Sequence, residues 1–122
     1  MTALIVDDSR TMRMILAKIL KEIGFETWEA GHGREALERV RVLGEPPQLI
    51  LVDWHMPEMN GMQLLTALRS DSVYDSSQIM MVTTETELAH VAQALQAGAN
   101  EYMMKPFTKD SFVDKLKIMG MA

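Results

Sequence analysis

Five side chains of this sequence could do chemistry together: Asp7, Asp8, Asp53, Thr83 and Lys105. All stand behind short apolar runs: Leu4-Ile5-Val6 before the acidic pair, Leu49-Ile50-Leu51-Val52 before Asp53, Ile79-Met80-Met81-Val82 before Thr83, and Tyr102-Met103-Met104 before Lys105. Three carboxylates brought close together repel and raise one another's pKa unless a cation sits among them. The chain has no cysteine and no histidine cluster, so the ligand set is all oxygen. Such a set suits a hard ion, and a loosely held, water-rich shell favours Mg²⁺ over Ca²⁺. Lys105 adds a fixed positive charge. These are the parts needed to hold a phosphoryl group. Asp53 would be the nucleophile, metal and Lys105 would offset charge on the equatorial oxygens, and Thr83 would donate a hydrogen bond, giving an acyl phosphate. Taken singly, each residue has an ordinary reading as an acidic strand end, a capping threonine or a solvated lysine. The convergence of four strand ends on one chemistry is what argues for a site.

That convergence requires the runs to be parallel strands of one sheet, whose carboxyl ends share an edge. Residues 3–6 predict a first strand. A helix follows, with Ser9 as N-cap, Met12, Ile15, Leu16, Ile19, Leu20 and Ile23 at helical spacing, and Gly24 as the stop. Residues 25–30 predict a more polar strand, and residues 33–43 a helix ending at Gly44. The four apolar residues 49–52 predict a strand buried on both faces, and Pro57, Asn60 and Gly61 a turn that aims Asp53 into a loop-walled cleft. A short third helix carries Met62, Leu64, Leu65 and Leu68, and residues 70–77 read as a polar loop. Residues 78–82 form the fourth strand, 87–97 an alanine-rich helix stopped by Gly98, and 101–104 the fifth strand. Thr108 caps a last helix carrying Phe112, Val113, Leu116, Ile118 and Met119. Five strands alternating with five helices predict an α/β fold, a doubly wound parallel sheet with helices on both faces.

A chain of 122 residues suits one domain with one core, and residues 1–122 read as a single domain with no linker. Hydrophobic content of 48% and charged content of 24% describe a soluble globular chain. No apolar run is long enough to span a bilayer and no leader precedes the first strand, which predicts a cytoplasmic protein without a membrane partner. A net charge of −5 with no basic run argues against nucleic acid as a partner. The 12 methionines read as adaptable core filling.

Over its whole length the sequence resembles a response-regulator receiver domain. The resemblance rests on Asp7-Asp8, on residues 53–61 (Asp-Trp-His-Met-Pro-Glu-Met-Asn-Gly), on Met81-Val82-Thr83, on Gly98-Ala99, and on residues 102–108 (Tyr-Met-Met-Lys-Pro-Phe-Thr). It is most similar to the single-domain chemotaxis regulators of the CheY type, with which it shares Thr11-Met12-Arg13 and Trp54. The resemblance implies a flavodoxin-like sheet in the order 2-1-3-4-5 and a phosphorylation-activated switch that is not an enzyme beyond its own phosphorylation and dephosphorylation. It implies that Asp53 accepts phosphate from a histidine kinase. Asp8, Asp53 and the backbone carbonyl of His55 would bind Mg²⁺ directly, with Asp7 acting through water. Thr83 and Lys105 would contact the phosphoryl group, and the bond before Pro106 would be cis. Thr83 moving and Tyr102 turning inward would bias the face of the fourth helix, fifth strand and fifth helix toward a downstream target, the flagellar motor switch first among them. A monomer and a separate phosphatase complete the implied picture.

Two departures matter. The positions that flank the hydrolytic water in this family are His55, where relatives often have Asn, and Glu85; a contact between them would set the signal lifetime. As a zinc ligand, one histidine among carboxylates is a weak signature, and His32 and His90 read as surface residues. Asn60 stands where Asp is frequent, outside the inferred metal shell. The fourth helix opens Thr86-Glu87-Leu88 where chemotaxis relatives tend to be basic, which keeps a phosphorelay intermediate or a kinase-regulating receiver open as alternatives. A phosphohydrolase with an Asp nucleophile ranks lower, because such enzymes place a second acid where His55 stands. A nucleotide-binding module lacks its glycine-rich loop after the first strand, and a receiver cut from a DNA-binding regulator would show the start of a linker.

Overall fold

The computed structural model describes residues 1–84 and 88–122. In chain order the elements are β1 (Thr2–Val6), α1 (Arg10–Ile23), β2 (Glu26–Ala30), α2 (Gly33–Val42), β3 (Leu49–Val52), α3 (Gly61–Arg69), a 3-10 turn (Ser72–Tyr74), β4 (Gln78–Thr83), α4 (Leu88–Gln96), β5 (Glu101–Met104) and α5 (Lys109–Ile118). The sheet runs β2-β1-β3-β4-β5 with every pairing parallel, the expected order.

Strand period two explains why the sheet needs a layer on each face. Ala3, Ile5, Leu49, Leu51, Met80 and Val82 point into one core, filled by Leu16, Leu20, Phe112 and Leu116 of α1 and α5. Leu4, Val6, Ile50, Val52, Ile79 and Met81 point into the other, filled from α2, α3 and α4 by Ala36, Val40, Leu64, Leu65, Leu68 and Ala94. β1 from Ala3 to Val6 and all of β3 are buried, and each fully buried large aliphatic side chain contributes about 1.5–3 kcal/mol.

Local chemistry sets the helix ends. Ser9 accepts from the Met12 backbone to start α1, and Gly24, at φ 114, ends it in the left-handed conformation that costs glycine nothing. Capping boxes open α3 (Asn60 with Gln63) and α5 (Thr108 with Ser111).

Several details differ from the sequence reading. His32 is no idle surface residue: its side chain caps α2 by accepting from the Glu35 backbone. Residues 70–77 contain the 3-10 turn, which buries Tyr74. β4 extends through Thr83, β2 begins after Phe25, which is nonetheless buried, and Ile118 is 74% exposed. The expected start of α4 at residue 87 lies outside the described residues. Among those described, no helix is long and apolar enough to cross a membrane.

Candidate functional site

Sheet register puts the candidate residues in a row. Val6 pairs with Val52, Val52 with Met81, and Thr83 with Met104. The ladder continues one residue further, with Asp53 N–H donating to Val6 O at 2.9 Å and Lys105 N–H to Thr83 O at 2.9 Å. Asp7 and Asp53 therefore leave adjacent strands at the same level, with Lys105 beyond Thr83.

One oxygen from each of Asp7, Asp8 and Asp53 lies within 4.8 Å of the others. Asp7 and Asp53 are buried, Asp8 is exposed. Lys105 Nζ sits 2.6 Å from Asp7 Oδ2 and 3.5 Å from Asp53 Oδ2. Burial pushes the Asp53 carboxyl above its ordinary value; a hydrogen bond from the Thr83 side chain and the Lys105 ammonium pull it down, Asp7 pushes it up, and the His55 backbone N–H again lowers it. One ammonium against three carboxylates leaves the cluster negative.

These residues fit a divalent cation. Magnesium binds oxygen at about 2.1 Å, so ligands on opposite sides of it stand about 4.2 Å apart, comparable with the span of the three carboxylates. Both Asp7 oxygens already accept hydrogen bonds, Oδ1 from Ser9 N–H at 2.8 Å and Oδ2 from Lys105. Asp53 is held likewise, by Thr83 and the His55 N–H, whereas Asp8 turns an exposed carboxylate to the cluster.

The remaining predicted residues divide. His55 is exposed, and its N–H is bound to Asp53. Tyr102 is 8% exposed and packs in the second core. The Lys105–Pro106 peptide bond is cis. Glu85 lies outside the described residues, so its expected contact with His55 does too. Gly61 is a close-approach glycine: its N–H donates to Trp54 O at 2.9 Å, and a Cβ there would strike the Asp53 carbonyl oxygen and Trp54 Cα. The loop after Asp53 can turn this tightly only without a side chain.

Sequence reading missed two features of this region. Trp54 stacks on His90 of α4, with ring centroids 5.2 Å apart and planes at 19°. His32 Nε2 meets Glu58 Oε2 at 3.4 Å, joining the entry of α2 to the loop after Asp53. Both pair residues far apart in sequence, and neither leaves a local signal.

Residues 3–117 match the family model of the response regulator receiver domain. The chain belongs to this family. The receiver is 43% identical over 120 residues to the chemotaxis protein CheY1 of Helicobacter pylori, covering 98% of this chain and 96% of that one. It is 42% identical over 118 residues to a chemotaxis protein CheY homolog of Campylobacter jejuni, covering 96% and 90%. Among solved structures, chemotaxis protein CheY4 of Vibrio cholerae superposes with a TM-score of 0.88 at 32% identity, covering 96% of each chain. The protein is thus a CheY-type receiver, a module of phosphorylation-dependent two-component signalling, with the acidic cluster at the edge where such a fold places its ligand.

Proposed function

We propose that this receiver accepts a phosphoryl group on Asp53 from the phosphohistidine of a histidine kinase and carries the signal to a chemotaxis target, the flagellar motor switch. The observation that carries the chemistry is the juxtaposition of Asp53 with Asp7, Asp8, Thr83 and Lys105. An Asp53 carboxylate oxygen attacks phosphorus in line, the phosphorus–nitrogen bond breaks, and the electron pair leaves with the imidazole, giving an acyl phosphate. Asp8, Asp53 and the His55 carbonyl would hold Mg²⁺ directly and Asp7 through water; bound there, the ion neutralises charge on the phosphoryl oxygens. Lys105 reaches the same oxygens from its place between Asp7 and Asp53, and Thr83 turns its hydrogen bond from the carboxylate to the phosphoryl group. That movement, with the buried state of Tyr102, favours one arrangement of the face formed by α4, β5 and α5. The chemotaxis assignment is supported by relatives of that name at 42–43% identity. Cytoplasmic residence of a monomer and reversal by a phosphatase belong to the same reading.

The test is intact mass after incubation with acetyl phosphate, with and without Mg²⁺. A gain of about 80 daltons, one phosphoryl group, is expected only with Mg²⁺ and is lost in Asp53→Asn; a gain that survives the substitution defeats the assignment of Asp53. Return to the unmodified mass times the signal. His55→Asn should change that time several-fold, and an unaltered decay removes His55 from the path of the hydrolytic water.

A further inference from the structure

Asp7 is held at every polar atom. Its N–H donates to Ala30 O at 3.1 Å, Oδ1 accepts from Ser9 N–H and Oδ2 from Lys105. Its backbone carbonyl accepts from Arg13 Nη1 at 2.6 Å. The last contact differs in kind, because the Asp7 carbonyl and the Asp8 N–H belong to one planar peptide unit. Fixing that oxygen fixes the plane, and the plane sets where Asp8 Cα and its exposed carboxylate stand.

Arg13 is built to do this. It lies in the first turn of α1, its N–H donating to Ser9 O at 3.0 Å, and its side chain is only 18% exposed. Its Nε donates to Glu29 Oε1 on β2 at 3.1 Å. The guanidinium is a rigid planar fork, so anchoring one arm on Glu29 aims the other at the Asp7 carbonyl. Glu29 also offsets the guanidinium charge near a site meant for a cation.

We propose that Arg13 is a positioning residue for the acidic pair: by clamping the Asp7 carbonyl it holds Asp8 where it completes the divalent-cation site, and so sets that site's affinity. The inference rests on the reading of Asp8 and Asp53 as metal ligands. It separates cleanly from a charge effect. A guanidinium acting by charge alone repels a cation, so its removal would tighten Mg²⁺ binding; a guanidinium acting by position makes its removal weaken it.

The experiment is calorimetric titration of the full chain with Mg²⁺, in wild type, Arg13→Gln and Arg13→Lys. Loss of an outer-shell partner typically costs a metal site about 10- to 100-fold in affinity, and that weakening is expected in Arg13→Gln. Arg13→Lys keeps the charge but has no second arm for Glu29 to hold, so a smaller, several-fold weakening is expected. In phosphorylation by acetyl phosphate, the Mg²⁺ concentration for half-maximal rate should rise with the binding constant while the rate at saturating Mg²⁺ is kept; a general loosening of the fold would lower the saturated rate as well. Unchanged or tighter Mg²⁺ binding in Arg13→Gln overturns the proposal. Should Arg13→Gln fail to fold, Arg13→Lys decides: wild-type affinity there overturns it equally. If the wild type takes up no Mg²⁺ at all, the metal-site reading falls first and takes this inference with it.

Discussion

The two ends of the sheet each hold a half-buried cation, Arg69 at one and Lys105 at the other, and treat it in opposite ways. Near the amino ends of β4 and β5, the Arg69 guanidinium donates to Gly98 O at 2.9 Å, Tyr74 O at 2.7 Å, Ser77 O at 2.8 Å and Asn100 Oδ1 at 2.8 Å. All four acceptors are neutral, and their geometry closes the α3 terminus, the 3-10 turn and the starts of two strands into one unit. At the carboxyl ends, Lys105 faces carboxylates that outnumber it. The first arrangement gives every acceptor it gathers a hydrogen bond. The second gathers more negative charge than it neutralises and is completed only by something cationic. A half-buried charge by itself therefore does not mark a site; an imbalance of crowded carboxylates does.

The comparison breaks most readily at Arg69. Arg69→Met keeps the apolar stem but removes four hydrogen bonds from a charged group, each worth about 1.5–3 kcal/mol; Gly98 O and Ser77 O lose their partner, while Tyr74 O and Asn100 Oδ1 still accept from Ser77 N–H and Ile79 N–H. Allowing for water reaching some of the acceptors, a loss of about 2–4 kcal/mol in denaturant unfolding is expected, with phosphorylation of the folded protein unchanged. If phosphoryl acceptance falls while the fold persists, the two ends of the sheet are coupled and do not act separately.

The carboxyl edge was legible in the sequence because its logic is local. Each candidate residue follows a short stretch that suits a strand, and the parallel register then makes neighbours of Asp7, Asp53, Thr83 and Lys105. The amino edge was not legible. Arg69 reads as the basic end of an amphipathic helix, and its partners are backbone oxygens of residues 74, 77 and 98, which a sequence carries everywhere alike. His32 was misread for a related reason. Imidazole is outside the usual capping set of Ser, Thr, Asp and Asn, yet its Nδ1 accepts from Glu35 N–H at 3.2 Å. Tyr74 sits in a stretch too polar to suggest burial, and the 3-10 turn that buries it is started by the Asp71 side chain.

A second prediction turns on imbalance at Asp53. Its carboxyl is raised, chiefly by burial, so the folded protein holds that proton more tightly than the unfolded chain does. Stability from this group is accordingly lost as pH rises from the ordinary carboxylate value through the raised native one, and the penalty is constant above. Asp53→Asn, which cannot ionise, should be more stable than wild type at neutral pH in the presence of EDTA, by up to about 2 kcal/mol, as when other strained functional groups are removed. The gap should close on acidification, as wild-type Asp53 takes up its proton, and shrink on adding Mg²⁺, which stabilises the state that binds it. Thermal unfolding across a pH series with and without Mg²⁺ reads all three effects. An Asn variant less stable than wild type in EDTA at neutral pH would show that Lys105 and Thr83 already compensate the buried carboxylate.

The smallest effect sharpens the boundary between the two styles, because Asn60 stands at the carboxyl edge yet is closed like the amino one. Its Oδ1 accepts from Gln63 N–H at 2.8 Å while Gln63 Oε1 accepts from Asn60 N–H at 2.9 Å, a reciprocal pair that commits both groups to the start of α3. Asn60→Ala should cost about 1 kcal/mol, the usual worth of an N-cap. Asn60→Asp should cost nothing or stabilise slightly, since a carboxylate keeps the acceptor and suits a helix N-terminus. Neither should alter Mg²⁺ affinity, because the added or missing group belongs to the start of α3 and not to the acidic cluster. Should Asn60→Asp instead tighten Mg²⁺, the negative field that attracts the cation would extend along the loop after Asp53 beyond the three carboxylates. Imbalance would then be a property of the whole edge and not of the strand ends alone.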